Sequence, residues 1–367
     1  MNDINRDPFE EYIRHVEPNQ KDLGYAWYTA IGLQAVDGLQ TSAYLKQTAR
    51  ENIEGRITLS EANALIESYY RESAEQEEDR TKEADQVSVR IAALLTEKAF
   101  SFSVMQYLGI HRRLFEGIYP HAGKVRDYNI SKPEWVLNGE SVQYGSAPEI
   151  MATLEYELQM EREYRYPFGD MATVIEHLAR FVASLWQVHA FGEGNTRTTA
   201  VFFIKYLRTL GFDVTNDIFA RNAWYFRNAL VRANYNNYVS GVRATTEYLE
   251  LFLRNLLLGE KNELRNCSLH ISGILRKQDI ESPKQDIQGA KQDIELPNSV
   301  RPKTKAHIEA LFRAFGFDTV FGRGDVMKLL NLTASPASAL LKRMLQMDLI
   351  APEKGRGKGK YRFRAAE

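Results

Sequence analysis

Apolar side chains at Met171, Val174, Ile175, Leu178, Phe181, Val182, Leu185 and Val188 recur at spacings of one, three and four, which predicts a helix with a wide buried face. A second apolar run over 196–210 predicts another helix, stopped by Gly211. Between them lies a short polar stretch, His189-Ala-Phe-Gly-Glu-Gly-Asn-Thr-Arg197. It reads as a tight loop that opens a helix. Backbone N–H groups and the positive end of the helix dipole face outward there, and two glycines permit close approach to the backbone. The stretch is an anion site with a base on one side and a carboxylate beside it.

The same patterning organises the rest of the chain as mostly α. Residues 20–95 predict helices, with amphipathic runs over 41–50 and 59–71 and a start signal at Ser60-Glu-Ala-Asn. A charged tract over 72–85 precedes an apolar helix at 87–100. Alternation around Asn138-Gly139, within 135–144, is a hairpin signal. Helices then continue to Leu258-Gly259.

Lys277-Gln-Asp-Ile, Lys284-Gln-Asp-Ile and Lys291-Gln-Asp-Ile repeat with a period of seven. One apolar residue per repeat, interrupted by Pro283, Gly289 and Pro297, argues for a duplicated flexible linker over a coiled coil. Beyond Pro302, helices are expected at 305–315, 324–330 and 335–345, the last with Ser335 as N-cap and Pro336 just inside. A strand at 349–350, a basic glycine loop at 354–360 and a strand at 361–363 follow. That order resembles a winged helix-turn-helix, whose third helix enters a major groove while its wing lies along phosphates. The expected organisation is therefore a helical region at 1–95, a central domain at 96–262, a linker at 263–302 and a winged helix at 303–367.

Composition changes this picture in two places. The net charge of −1 hides an asymmetry, because residues 303–367 carry thirteen Lys/Arg against six Asp/Glu. A basic end on an acidic body implies a module with its own partner. The lone cysteine, Cys267, excludes an internal disulfide and a cysteine-based metal cluster. No apolar run is long enough to span a membrane and no secretory signal is visible, so the expected location is cytoplasmic.

The polar stretch resembles the Fic family signature, H-x-F-x-[D/E]-G-N-x-R, through His189, Phe191, Glu193, Gly194, Asn195 and Arg197. His111-Arg-Arg-Leu-Phe-Glu-Gly-Ile-Tyr119 and Ala122-Gly-Lys-Val-Arg126 look like the helix and turn ahead of the family's target-binding flap, and 135–144 fits the flap. The resemblance spans about 95–260. It implies a helical Fic domain with a β-hairpin flap, preceded by a helical regulatory segment. It also implies transfer of AMP from Mg·ATP to a Ser, Thr or Tyr hydroxyl of a target protein, with self-modification as one outcome.

By this resemblance His189 is the general base and Glu193 holds Mg²⁺ against the phosphates. Gly192, Gly194, Asn195, Thr196 and Arg197 bind the nucleotide. Pro after the His is replaced by Ala190. Three residues after Arg197, where the family commonly has a second arginine on the γ-phosphate, stands Ala200. Glu54-Gly55 resembles the family's inhibitory helix, with Arg50 at its usual Ser/Thr position. Glu54 then repels the γ-phosphate, pairs with Arg197, or is a plain helix end.

Several residues keep two readings. Arg126 serves structure or target contact, and His111 and Arg112 serve helix packing and solvation. Trp224, Tyr225, Phe226 and Tyr235 lean on an adenine ring or fill the core. In the basic module, Lys342, Arg343, Lys354, Arg356, Lys358 and Lys360 are the expected duplex-DNA contacts, with protein docking as the other use of such a module. A nucleotide-sensing DNA-binding regulator without turnover, and transfer of another phosphate-linked group, stand beside the AMP-transfer reading. A homo-oligomer is compatible with all three.

Overall fold

The computed structural model describes residues 18–72, 79–214, 217–272, 302–315, 320–330, 332–347, 349–353 and 359–364. The Lys-Gln-Asp-Ile repeats lie outside them, as do Lys354, Arg356 and Lys358. Residues 1–282 and 283–367 form two compact units.

The first unit is helical. In order come α1 (Pro18–Gly32) with a 3₁₀ turn (Leu33–Asp37), α2 (Ala43–Ile53), α3 (Leu59–Glu72), α4 (Asp79–Thr96) and α5 (Val104–Phe115). Then follow α6 (Ile150–Glu163), α7 (Met171–Val188), α8 (Asn195–Thr209), α9 (Ile218–Ala233) and α10 (Glu247–Leu258). One hydrophobic core joins them all, from Trp27 in α1 to Leu256 in α10, and takes in Leu269 and Ile271. The start of the expected linker therefore packs onto the body, where Tyr248 Oη donates to the Ser268 carbonyl at 2.9 Å.

Local chemistry sets the helix starts. Ser42 caps α2 by accepting the Leu45 N–H, and Asp170 caps α7 by accepting from Ala172 and Thr173. For α3 the start lies at Thr58, not at Ser60. Thr58 Oγ1 accepts the Glu61 N–H while the Glu61 carboxylate accepts the Thr58 N–H, a reciprocal capping box. The helix expected at 87–100 instead runs from Asp79 to Thr96. Ala84 and Asp85 are buried on its inner side, so the charged tract becomes helical before its apolar part begins. Asp85 accepts hydrogen bonds from the Ser42 N–H (2.9 Å) and Tyr70 Oη (2.8 Å), joining α2, α3 and α4.

Helix α8 is the central rod, with every residue from 195 to 207 buried. Its polar side chains reach partners on other elements, as burial requires. Lys205 Nζ donates to the carbonyls of Leu94 (2.7 Å) and Glu97 (2.6 Å), and Arg208 donates to that of Leu95. The C-terminal carbonyls of α4 are thus capped by cations from α8, which also meet the negative end of the α4 dipole.

The chain reversal expected at Asn138-Gly139 is present. Asn138 (φ 56°) and Gly139 (φ 89°) are left-handed, and the Glu134 N–H donates to the Glu140 carbonyl at 2.9 Å. Its tip is a 3₁₀ turn (Trp135–Leu137), with Val136 and Leu137 drawn into the core, and not a strand ladder.

The second unit runs α11 (Pro302–Phe315), β1 (Phe321–Gly322), α12 (Arg323–Leu330), α13 (Ala334–Gln346), β2 (Ile350–Pro352) and β3 (Lys360–Phe363). Its antiparallel sheet has the order β1-β3-β2, with Phe321 opposite Tyr361 and Ile350 opposite Phe363. Ile308, Leu311, Phe321, Val326, Leu341, Met344 and Phe363 form its core. Helix α13 begins earlier than expected: Thr333 is its cap residue, which puts Ser335 and Pro336 in the first turn, where the missing proline N–H costs nothing. Among the described residues no helix is long and apolar enough to cross a membrane.

Replacing Lys205 by Met strips the donor from two carbonyls at the end of α4. The expected loss is about 2 kcal/mol of unfolding free energy, read as a lower urea midpoint at unchanged slope. A loss below about 0.5 kcal/mol, the range of ordinary surface substitutions, would show that the capping contributes little.

Candidate active site

His189 is the C-cap of α7 and adopts a left-handed backbone (φ 50°, ψ 55°). That conformation is uncommon for a residue with a Cβ and persists only where the surroundings enforce it. Arg126 is the enforcing group. Its Nε donates to the His189 carbonyl at 2.7 Å, its other nitrogens donate to the carbonyls of Tyr128 and Gly145, and its own N–H donates to the Ala190 carbonyl at 2.9 Å. Arg126 is itself buried, which decides between its two sequence readings for structure.

His189 is only 3% exposed. It lies on the Tyr144 ring (3.9 Å between centroids) and against the edge of Trp186 (5.4 Å). Neither ring nitrogen has a hydrogen-bond partner among the described residues. Burial, followed by the charges of Lys132, Arg126 and Arg227, holds its pKa well below the usual histidine value. The imidazole is therefore neutral at pH 7, with one of its two nitrogens free of hydrogen and able to accept a proton.

Behind it, Tyr144 Oη donates to Glu134 (3.1 Å), and Arg227 donates to both oxygens of the same buried carboxylate (2.6 and 3.1 Å). The Arg227 guanidinium lies over Trp224 at 5.2 Å. Tyr225, Phe226 and Tyr235 are buried, so this aromatic set packs the core and carries Arg227.

The loop after His189 is held shut by its own residues. Asn195 Oδ1 accepts the Phe191 N–H (2.9 Å) and Asn195 Nδ2 donates to the Phe191 carbonyl (2.7 Å). The Thr196 hydroxyl accepts from Trp186 Nε1 at 3.0 Å. Both side chains, expected on phosphates, also tie the loop together, and the helix start itself offers backbone: among the described residues α8 begins at Gly194 with no side-chain cap.

Protein packs closely on both glycines of the loop. A Cβ on Gly194 (φ 76°) would fall 2.3 Å from the Phe115 ring, and one on Gly192 would fall 2.7 Å from Tyr128 Oη. Glycine is required at 194 because protein packs against it and its backbone is left-handed.

His111 stacks flat on Phe191 at 3.6 Å. Its Nδ1 accepts the Gly123 N–H (2.8 Å), so Nε2 carries the proton and donates to the Glu193 carbonyl (3.0 Å). Burial foremost pushes its pKa down to about 4. The Glu193 carboxylate points outward and pairs with Lys132 Nζ at 2.9 Å.

Arg197 is engaged by the protein itself. Expected on phosphates, it is 1% exposed and faces carboxylates of the preceding helices. Nε pairs with Asp37 at 2.8 Å and NH2 with Glu83 at 2.6 Å, while NH1 donates to Gln34 Oε1 at 3.0 Å. Burial alone lowers its pKa, but Asp37, Tyr119 and Glu83 outweigh it and raise the value, so the group is charged. Glu54 is the C-cap of α2 and pairs with Arg56, so the carboxylates on Arg197 are two that the sequence reading did not single out. Asp37 and Glu83 carry no local signal, since each meets Arg197 only through the tertiary fold.

The residues fit the groups that the motif implies. Glu193 is one exposed carboxylate beside an uncapped helix start, the sort of sparse ligand set that Mg²⁺ uses when phosphates complete its shell. Among the described residues no group of three or more His, Cys, Asp or Glu could hold a metal by itself.

Comparison with known proteins places the loop in a family. Residues 101–207, which contain α5 and the whole His189–Arg197 loop, match the Fic/DOC family. Members of that family typically transfer AMP or other nucleotide groups onto proteins. No curated protein matches the chain. Among solved structures, the chain is similar to the crystal structure of a Fic family protein from Desulfovibrio desulfuricans G20. The two are 17% identical over 96% of this chain and 98% of that one, with a TM-score of 0.37, a likeness too distant to carry an argument.

The lowered pKa of His111 has a consequence for stability. The folded state binds its proton less readily than the unfolded state, so the contribution is complete above about pH 6.5 and is lost as pH falls toward 4. Thermal or urea unfolding at pH 7 and pH 5 should show a loss about 2 kcal/mol larger for the parent than for His111→Gln. Equal losses in the two proteins would assign the acid sensitivity elsewhere.

Proposed function

We propose that this chain is a protein nucleotidyltransferase that moves AMP from Mg·ATP to a Ser, Thr or Tyr hydroxyl of a target protein. The observation that carries the reading is His189, a buried neutral imidazole with unpartnered nitrogens, held in a left-handed backbone directly before an uncapped helix start. A group that served only packing would not need that conformation or those free nitrogens.

In this reading His189 takes the proton of the acceptor hydroxyl as the oxygen bonds to the α-phosphorus of ATP. The bond from that phosphorus to the bridging oxygen breaks, and pyrophosphate leaves. The first N–H groups of α8 face the phosphate on which charge develops, and donors placed in advance stabilise it without rearrangement. Glu193 would hold Mg²⁺, which neutralises phosphate charge when bound. Lys132, now paired with Glu193, lies close enough to the base to lower its pKa and adds positive charge to the same space.

Intact-mass analysis after incubation with Mg·ATP, alone and with cell lysate, tests the assignment. The parent should gain one AMP on itself or place it on a lysate protein. His189→Ala should lower the rate by about 10²–10⁴ while keeping its fold. Equal modification by parent and variant would remove His189 from the chemistry.

For the second unit we propose a winged helix that binds duplex DNA, supported by its α-β-α-α-β-β order and by Lys342 and Arg343 on the exposed side of α13. Lys360 pairs with Asp325 at 3.4 Å and Arg343 donates to Thr304, surface contacts that a phosphate would displace at small cost. Fluorescence anisotropy of the full chain with random duplexes at two salt concentrations should show affinity falling with log salt by about 0.9 per neutralised phosphate. No binding at low salt would make the unit a protein-docking module.

A further inference from the structure

Gly192 lies midway between His189 and the start of α8, and two side chains from outside the motif converge on it. A Cβ placed there would lie 2.7 Å from Tyr128 Oη and 3.4 Å from His121 Nε2. His121 Nε2 is buried and has no hydrogen-bond partner among the described residues. Its ring is stacked on Tyr119 at 5.3 Å with the planes 6° apart, and Tyr119 Oη is tied to Glu83 at 2.7 Å. The imidazole is thus held in place with an unused polar atom aimed at the loop. Tyr128 is 54% exposed, yet its hydroxyl reaches the same glycine.

Apart from His189 and the Thr198 hydroxyl, several polar side chains around the loop are already engaged. His111 spends both nitrogens on Gly123 and Glu193, and Asn195 spends both side-chain atoms on Phe191. Arg197 is held by Asp37 and Glu83, and one turn further along α8 the residue is Ala200, fully buried. The arginine of the motif therefore does not serve this face of the loop. An imidazole and a phenol do.

We infer that His121 and Tyr128 form a phosphate contact over Gly192, donating N–H and O–H to an oxygen of the donor nucleotide's polyphosphate. A phosphate oxygen only accepts, so its arrival selects the Nε2–H tautomer of His121 and satisfies the unpartnered atom. The contact recognises the phosphate and not the nucleoside. The inference rests on the reading of this loop as a nucleotide site, and the two can fail separately.

Isothermal titration of the full chain with Mg·ATP and with adenosine tests it. His121→Ala should weaken Mg·ATP by about tenfold, and Tyr128→Phe by about threefold, as expected for a lost hydrogen bond to a charged oxygen, with adenosine unchanged. His121→Gln, which keeps an N–H at similar reach, should stay within about threefold of the parent. Unchanged Mg·ATP affinity in both His121→Ala and Tyr128→Phe overturns the inference, as does equal weakening of Mg·ATP and adenosine, which marks a structural role. If His121→Ala does not fold, Tyr128→Phe and His121→Gln decide by the same criteria. A parent that binds neither ligand overturns the nucleotide reading itself, and the inference with it.

Discussion

A buried guanidinium organises the first unit. Arg197 projects from the first turn of α8 into a space walled by the Phe115 ring, 4.8 Å from the guanidinium carbon. It is met there by Asp37 from the 3₁₀ turn after α1 and by Glu83 from α4. Taking a cation out of water is unfavourable by several kcal/mol unless carboxylates and further hydrogen bonds compensate, and breaking such a pair from one side typically costs about 3–5 kcal/mol. The N-terminal helices supply that compensation here. They are therefore part of the fold of the motif, sharing its core and neutralising its arginine. In this conformation the motif arginine is spent on the protein's own carboxylates, and the positive character of the site comes from the helix start and from Lys132, Arg126 and Arg227.

The second constraint is the turn at His189. Helix α7 must end and α8 begin within a few residues, with the chain folding back on itself. The left-handed backbone at His189, the carbonyl grip of Arg126 and the closure of Asn195 onto Phe191 accomplish this together. The result holds the imidazole in a dry place among cations, where only the neutral form is stable. The features that shape the loop thereby also set the protonation state of its histidine.

Much of this was legible in the sequence. Helices α7 and α8, the loop between them and the residues on it follow from local periodicity and from glycine placement, because a helix with a 3.6-residue stripe writes its buried face into contiguous sequence. The reversal at Asn138-Gly139 and the three helices of the second unit were readable for the same reason. What the sequence hid was long-range or competitive. Glu83 and Gln34 meet Arg197 across 114 and 163 residues, and nothing near either marks the pairing. Asn195 and Thr196 have the right chemistry for phosphate, but closer partners at Phe191 and Trp186 claim their side chains. Ser60 and Ser335 are good cap residues that lost to Thr58 and Thr333, each two residues upstream, where the chain enters the helix in an extended conformation at 333 and a capping box forms at 58. Gly194 was read as allowing close approach to the backbone; the packing of the Phe115 ring against it is a tertiary contact with no local signal.

The proposed reaction needs His189 to be a neutral imidazole beside a helix start that receives the donor's phosphates. Histidine-selective ¹⁵N NMR of the full chain tests it directly, with His189→Gln identifying the resonance. The account predicts that the His189 imidazole remains neutral from pH 8 down to well below pH 6.5, and that its signals shift when Mg·ATP is added. An imidazolium at pH 7, or ring signals indifferent to saturating Mg·ATP, would contradict it.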